Sequence, residues 1–545
     1  MRNLHLGLPL ILSLISSAAL ALPPVPAISI ETLKDVTKTL SSDEYEGRKP
    51  TSAAEPKTIA YISDRFARAG LKPGNKGSWY QDVPMVEIAG NPKAIEITGG
   101  KAPLSFAYKT DMVVRTEQVR PHIDVKNSDV VFVGYGIDAP ERGWNDYAGL
   151  DVEGKTVVVL INDPDYQAKT LDGPFEGRAM TYYGRWTYKY EEAARQGAAA
   201  VLIVHDTEPA AYPFDVVVSS WSGPQLELDA ANDHMDKLQA IGWITNDAAH
   251  KLFASAGKSY DQLVAAAKVK GFKAVPLGLK ASVAFDNHIK RQASHNVVGI
   301  LPGTKRPDEM VVYSAHWDHL GHCEPVNGDD ICNGALDNAS GVAGLVALAE
   351  AQAKAGAAER SMLFLAVTAE ESGLLGSQYY AEHPLYPLGL TVGGVNMDVL
   401  NVNGRTRDVI ITGPGKSELE DYVKRWAAWE NRVIVPEASP EKGHYFRSDH
   451  FSFAKLGVPM AAAESGEDLL VGGKAAGHTA AEDYTTNRYH KPQDEYNPYW
   501  DWSGAVDDLK IYYGVGRELA DSSAWPNWYP TSEFRAIRDK SRAGN

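Results

Sequence analysis

Apolar positions recur along the chain with three different spacings, and each spacing marks off a region. Between Ile28 and about Met85 they come every three to four residues, as in "TIAYISDRFARAGLKPG" (58–74), which closes on Gly70 and Pro73. That period predicts amphipathic helix with a helix-breaking end, here an edge helix of a larger domain. From Val130 to Val204 the pattern changes to β-branched runs, "VVFVGYGI", "KTVVVLIND" and "AAAVLIVHD", separated by turns and by the helical "YEEAARQG"; this predicts a β-rich module with its own core. A second change comes at "ASHNVVGILPGTKRPDEMVVYSAHWDH" (293–319), after which strand-like runs alternate with Ala/Leu-rich segments such as "SGVAGLVALAEAQAKAG" as far as about Val515. Such alternation predicts an α/β sandwich around a mostly parallel sheet. Beyond Asp521 the chain is polar and aromatic without periodicity, and a loosely packed tail is expected.

The N-terminus stands apart. "MRNLHLGLPLILSLISSAALALPP" combines Arg2, a short apolar core and small residues ending at Ala21, with Pro23 and Pro24 directly after. This is the pattern of a secretory signal peptide cleaved after about Ala21, and its apolar run is short for a membrane span. No later stretch reaches about 18 uninterrupted apolar residues, so no membrane anchor is expected after cleavage. The formal net charge of −16, without a Lys/Arg cluster, excludes a nucleic-acid footprint. Only two cysteines occur, Cys323 and Cys332. Their spacing is not that of a zinc knuckle, and in an exported chain the pair reads as a disulfide.

In open α/β sheets ligands bind beyond the carboxyl ends of the strands, so the residues just after each apolar run belong together. "MVVYSAHWDH" ends in His316 and Asp318, "MLFLAVTAEES" in Glu370 and Glu371, and "TVGGVNMDVL" supplies Asp398; "GALDNASGVAG" sets Asp337 before a helix, and "NRYHKPQDEY" carries His490. Any one of these acids alone reads as a turn or helix cap. Together they form a concentration of negative charge that would repel itself, and divalent cations remove the conflict. Oxygen and imidazole donors without thiolate suit zinc, with cobalt or manganese as partial alternatives, and a carboxylate shared between two ions makes a two-metal hydrolase site. His316 and Asp318, two apart on extended chain, point the same way, so Asp318 is placed to fix the imidazole. Of two adjacent glutamates, one can ligate while its neighbour stays free to move protons.

The ordered motifs "HWDHLG", "NGALDNASG", "AEESGLLGS", "NMD" and "YHKPQDE" resemble metallopeptidase family M28, the co-catalytic zinc exopeptidases that include bacterial leucyl-type aminopeptidases, glutamate carboxypeptidase II and the glutaminyl cyclases. The resemblance implies a three-layer α/β/α zinc-exopeptidase sandwich with a mixed, mostly parallel sheet. It also implies two Zn2+ ions per chain, one held by His316, Asp337 and Asp398 and the other by Asp337, Glu371 and His490. Glu370 would be the general base and then acid, Asp318 the residue orienting His316, and Tyr489 the group steadying the oxyanion. Asp337-Asn338 aligns with a peptide that is often cis in the family, where Asp-Asp is the commoner pair, so Asn338 is a departure. Arg447, Ser448 and Asp449 in "GHYFRSDHFSFAKLGVPM" could line the substrate pocket; Asp449 and His450 could equally organise that loop. A Cys323–Cys332 bridge would stiffen the loop leading to Asp337.

"VGYGI", "DYAGLDVEGKTVVVL" and "EEAARQGAAAVLIV" are similar to an inserted protease-associated domain. The expected layout is therefore a signal peptide at 1–21, an N-terminal peptidase part at 22–129, the insertion at 130–287, the catalytic part at 288–520 and a tail at 521–545. The expected function is an exported aminopeptidase acting on peptides. The alternatives are a glutamate carboxypeptidase-like enzyme, then a glutaminyl cyclase or a receptor-like ectodomain without activity; the complete ligand set speaks against the last. "GPGKS" (413–417) matches only the end of a phosphate loop, with Ile410 where the earlier glycine belongs, and no G-x-S-x-G elbow occurs.

Overall fold

The computed structural model describes residues 23–543; the expected signal segment lies outside the described residues. Two hydrogen-bonded sheets are joined by one long strand, Val275–Leu301, which belongs to both. Its first part pairs with His122–Phe132 as far as Asp286, and from Asn287 onward it pairs with Tyr80–Gly90 and then also with Arg360–Val367. The partner switch between Asp286 and Asn287 divides the chain into two units that share a backbone.

The larger unit holds the mixed, mostly parallel sheet. Arg306–His316 lies between Arg360–Val367 and Thr391–Asn396, parallel to both, and Met460–Ala461 extends the sheet beyond Thr391–Asn396, also parallel. Side chains alternate between faces along each strand. Val311, Tyr313, Ala315, Phe364 and Ala366 pack against the helices Gly341–Lys354 and Ser503–Asp521. Val312, Leu363, Leu365 and Val367 pack on the other face with Tyr380 and Phe453 from helices Leu375–Glu382 and His450–Lys455. Strands covered on both faces need continuous apolar runs, and the sequence supplies them. The result is the expected α/β/α sandwich.

The second unit is built on parallel strands His122–Phe132, Thr156–Leu160, Ala200–His205 and Ala240–Thr245. It is α/β in character, with helices on both faces. Trp186–Arg195 and Phe214–Trp221 cover Val157, Val159 and Ile203. Asn246–Ser255 and Tyr260–Ala267 cover Val158, Leu202 and Val204. Strands Ala94–Thr98, Leu104–Ala107 and Met112–Arg115 also belong to this unit, so its core takes in residues well before Val130. These strands are only four or five residues long, too short for their alternation to stand out in the sequence.

The C-terminal segment is not the loose tail its composition suggested. Trp528 is fully buried, with Nε1 donating to the Gly457 carbonyl at 2.8 Å, and Phe534 packs with it against Phe446 and Phe451. The equally buried Arg538 donates to the carbonyls of Leu388, Thr391 and Val392. Its helix, Arg535–Ala543, buries only Arg538 and is held by arginines, Arg535 donating to the Trp528 carbonyl and Arg542 to that of Gly389, so no apolar stripe marks it. Trp528→Ala is expected to cost about 3–5 kcal/mol of stability in urea unfolding; a change below about 0.5 kcal/mol would restore the picture of a loose tail.

Candidate metal centre

The strand register brings the chemistry together. His316 pairs level with Val367, and Ser314 pairs with Asn396, so three parallel strands end along one edge. His316 closes its strand, Glu370 and Glu371 follow Val367, and Asp398 follows Asn396. Asp337 enters from the wide turn Ala335–Ser340 ahead of the buried helix Gly341–Lys354, and His490 comes from the loop after Tyr484–Arg488.

Asp337 is the centre of the group. His316 Nε2 lies 3.3 Å from its Oδ1 and 3.2 Å from Asp398 Oδ1, while His490 Nε2 lies 3.3 Å from its Oδ2 and 3.1 Å from Glu371 Oε2. Each oxygen of one buried carboxylate thus faces a different imidazole and a different second acid. Its backbone is fixed in turn: the Asp494 carboxylate accepts the amides of Leu336 and Asp337 at 3.1 Å. The Asp337-Asn338 peptide is cis. The Asn338 side chain accepts from Gly341 and Val399 while donating to the Met397 carbonyl at 3.0 Å. An ionised aspartate could not make that donation, which gives the Asn338 departure a physical reason.

Other residues hold the strand-end loops. Asp318 is fully buried, and its carboxylate accepts the amides of Glu370 at 3.1 Å and Glu371 at 3.4 Å. It stands 3.7 Å from His316 Nδ1, which lies closer, at 3.2 Å, to the Asp318 backbone carbonyl. The Asp318 carboxylate thus faces the His316 ring and also holds the amides of the glutamate pair, while its main-chain carbonyl meets the ring. Ser448 Oγ donates to Asp398 Oδ2 at 2.7 Å. Arg48, wholly buried, donates to the carbonyls of Leu40, Trp317, Asn333 and Gly334 and so ties the His316 loop to the Asp337 loop. Neighbouring Gly47, at φ +62°, lies where a Cβ would come within 2.4 Å of the Cys332 carbonyl. Cys323 and Cys332 form a disulfide in that same loop, with Cα atoms 6.0 Å apart.

Three more residues belong to the group. Asp449 is fully buried and near enough to Glu370 for its charge to act there. Tyr489 is partly exposed and stacks on the His490 ring at 3.9 Å. His319 enters the group without having been assigned: its Nδ1 lies 2.6 Å from Glu371 Oε1, and with Asp337 and Glu371 it forms a second set of ligand atoms beside His316, Asp337 and Asp398. The fourth residue of "HWDH" was visible as a histidine, but only the fold turns it toward Glu371.

Electrostatics follow from the crowding. Burial, reinforced by Asp398, Glu371 and Asp449, pushes Glu370 well above the usual carboxylate range despite the nearby His316. Burial works against ionisation of Asp337 as well, yet the His316 and His490 rings beside it hold it well below that range. Glu371 and Asp337 overcome burial to push His490 up to about 10. The Nε2 of His490 sits between two carboxylates with no hydrogen bond of good geometry to either. Oxygen and imidazole donors converging on shared carboxylates fit divalent cations of the zinc type.

The α/β sandwich thus carries a set of candidate metal ligands at its strand ends. Residues 296–513 match the family model described as Peptidase family M28. Mouse Aminopeptidase NAALADL1 is 31% identical over 179 residues, 29% of this chain and 22% of that protein. The chain thus spans about a fifth of the length of the curated relatives it matches. An aminopeptidase from Aneurinibacillus sp. strain AM-1 superposes with a TM-score of 0.50 at 20% identity, over 91% of this chain and 94% of that one. BSAP, a zinc aminopeptidase from Bacillus subtilis, covers 94% of this chain and 100% of its own at 16% identity and a TM-score of 0.42.

His490 keeps its proton up to about pH 10 in the metal-free chain, whereas a metal takes the neutral ring. Zinc loading near neutral pH is therefore expected to release protons, and apparent affinity to rise with pH by about tenfold per unit for each proton released. Titration calorimetry in two buffers of different ionisation enthalpy checks this; identical heats in both would contradict it.

Proposed function

We propose that this chain is an exported di-zinc aminopeptidase that removes N-terminal residues from peptides. The observation that carries this reading is the division of Asp337: one oxygen faces His316 and Asp398, the other His490 and Glu371. His316, Asp337 and Asp398 would hold one ion; Asp337, Glu371 and His490 would hold the other. Bound there, the ions supply Lewis acidity toward the scissile carbonyl and lower the pKa of water.

Glu370 does the proton work. Its carboxylate makes no hydrogen bond or ion pair among the described residues, while Asp318 fixes its backbone amide. A carboxylate held at a raised pKa accepts a proton from the attacking water and returns it to the leaving amine with little loss either way. The Tyr489 hydroxyl, held protonated by desolvation and by Asp337, Glu371 and Glu370 although the residue is partly exposed, is available to donate to the oxygen that gains charge. Asp398 is held in place by Ser448.

The second unit is of protease-associated type in this reading and forms one wall of the cleft. Its segment around Met180 hydrogen-bonds Pro440 at 3.1 Å, and Tyr182 packs on Phe446 and Phe451. The aminopeptidase assignment is supported by what the relatives named above are called; export is supported by the leader pattern and the disulfide. Among the described residues, no helix is long and apolar enough to cross a membrane.

Glu370→Gln is expected to keep its zinc while losing about 10²–10⁴-fold in kcat; normal turnover would remove the proposed base. Mass-spectrometric analysis of a free peptide and its N-acetylated twin tests the polarity of cleavage. Stepwise trimming of the free peptide alone, abolished by chelator, is the expected result, and equal C-terminal trimming of both would make the enzyme a carboxypeptidase.

A further inference from the structure

The chemistry proposed above leaves His319 without a task, although it lies among the metal ligands. It is 1% exposed, its Nδ1 stands 2.6 Å from Glu371 Oε1, and its ring meets that of His490 edge to face, with centroids 5.7 Å apart and planes at 76°. The fold makes room for this ring. Gly334, at φ +55° just ahead of the turn that carries Asp337, lies where a Cβ would come within 2.5 Å of the His319 Cγ. The His319 amide in turn donates to the Arg48 carbonyl at 3.3 Å, so main chain and ring are both held.

Distances separate a ligand from the partner of a ligand. Donor atoms at zinc-ligand bond lengths around a tetrahedral ion stand about 3.3 Å from one another. His316 and His490 keep that spacing from their carboxylates, at 3.3, 3.2, 3.3 and 3.1 Å. His319 does not. At 2.6 Å its Nδ1 and Glu371 Oε1 make a short hydrogen bond, with no room for an ion between them. An ionised glutamate only accepts, so Nδ1 carries the proton. Nε2 is buried without a hydrogen-bond partner among the described residues, and a proton there would be left unsatisfied. The ring is therefore fixed in one tautomer. Glu371 is divided as a result: Oε1 belongs to His319, and Oε2 faces His490 at 3.1 Å.

We propose that His319 is a positioning residue for the ion assigned to Asp337, Glu371 and His490. Its Nδ1–H holds Glu371 Oε1, so that Glu371 meets that ion through Oε2 alone and one coordination place stays open for water or substrate. A carboxylate turned inward with both oxygens would fill that place itself. The inference rests on the two-metal reading above.

The test compares His319→Asn, whose amide nitrogen stands close to the place of Nδ1, with His319→Gln, whose amide nitrogen stands close to that of Nε2. Zinc stoichiometry and the affinity for each ion are measured by chelator competition, together with the visible absorption of the cobalt-loaded protein, which weakens as coordination number rises. The wild-type protein should take two ions. His319→Gln should weaken one of them by about 10–100-fold, leave the other unchanged and lower the cobalt absorption, as expected for loss of a partner that orients a ligand. His319→Asn should keep the wild-type affinities and spectrum. Wild-type behaviour of His319→Gln overturns the proposal, as does an His319→Asn variant that loses as much as His319→Gln, since the ring would then be a ligand itself. Equal loss at both sites would make the role structural and overturn it too. Uptake of a single ion by the wild-type protein contradicts the two-metal reading, and this inference with it.

Discussion

The structure turns on the mutual repulsion of carboxylates gathered around Asp337. Glu370, Glu371, Asp398 and Asp337 converge at the ends of parallel strands with only imidazole nitrogens between them. Such a cluster is stable only with positive charge inside it. Without metal that charge is imidazolium, as the raised His316 and His490 show. Divalent ions do the same task with more charge per site. Much of the neighbouring construction keeps the acids where their repulsion would drive them apart. Asp494 grips the turn carrying Asp337, Asp318 grips the glutamate pair, and Arg48 laces the loops together through four carbonyls. Arg48 also carries a buried positive charge that the Asp494, Asp318, Asp337 and Glu371 carboxylates favour against its own desolvation.

The second constraint is the shared strand Val275–Leu301. Continuous backbone through two sheets makes the units one framework, because bending it would break ladders on both sides. The contact between segment 178–182 and loop 438–446 joins the units a second time, with aromatic packing from Tyr182 to Phe446, Phe451 and Phe534. The C-terminal segment belongs to the same packing through Phe534 and Trp528. The second unit is anchored to the larger one twice, by the shared strand and by this contact.

Much of the centre was legible in the sequence because strand-end chemistry follows apolar runs directly. His316, Glu370, Glu371 and Asp398 each sit within four residues of a strand end, and a helix start marks Asp337. What stayed hidden depended on long-range contact. Nothing in "HWDH" tells that His319 turns to Glu371, or that the Asp318 carboxylate meets two backbone amides as well as the ring. Arg48 lies over 260 residues from Trp317, whose carbonyl it holds, so no local pattern could assign it. The C-terminal helix was missed for a related reason: its anchors are Trp528, Phe534 and Arg538, single side chains without the period that marks an amphipathic face. The second unit read as β-rich because its strands are rich in valine and isoleucine, while its helices are short and partly polar.

The most direct measurement is an anomalous-difference map from crystals of the zinc-loaded protein, recorded at the zinc edge. Two peaks flanking Asp337, one against His316 and Asp398 and the other against Glu371 and His490, are the predicted result. A single peak, or peaks that leave Asp337 outside the coordination of either ion, would contradict the two-metal centre.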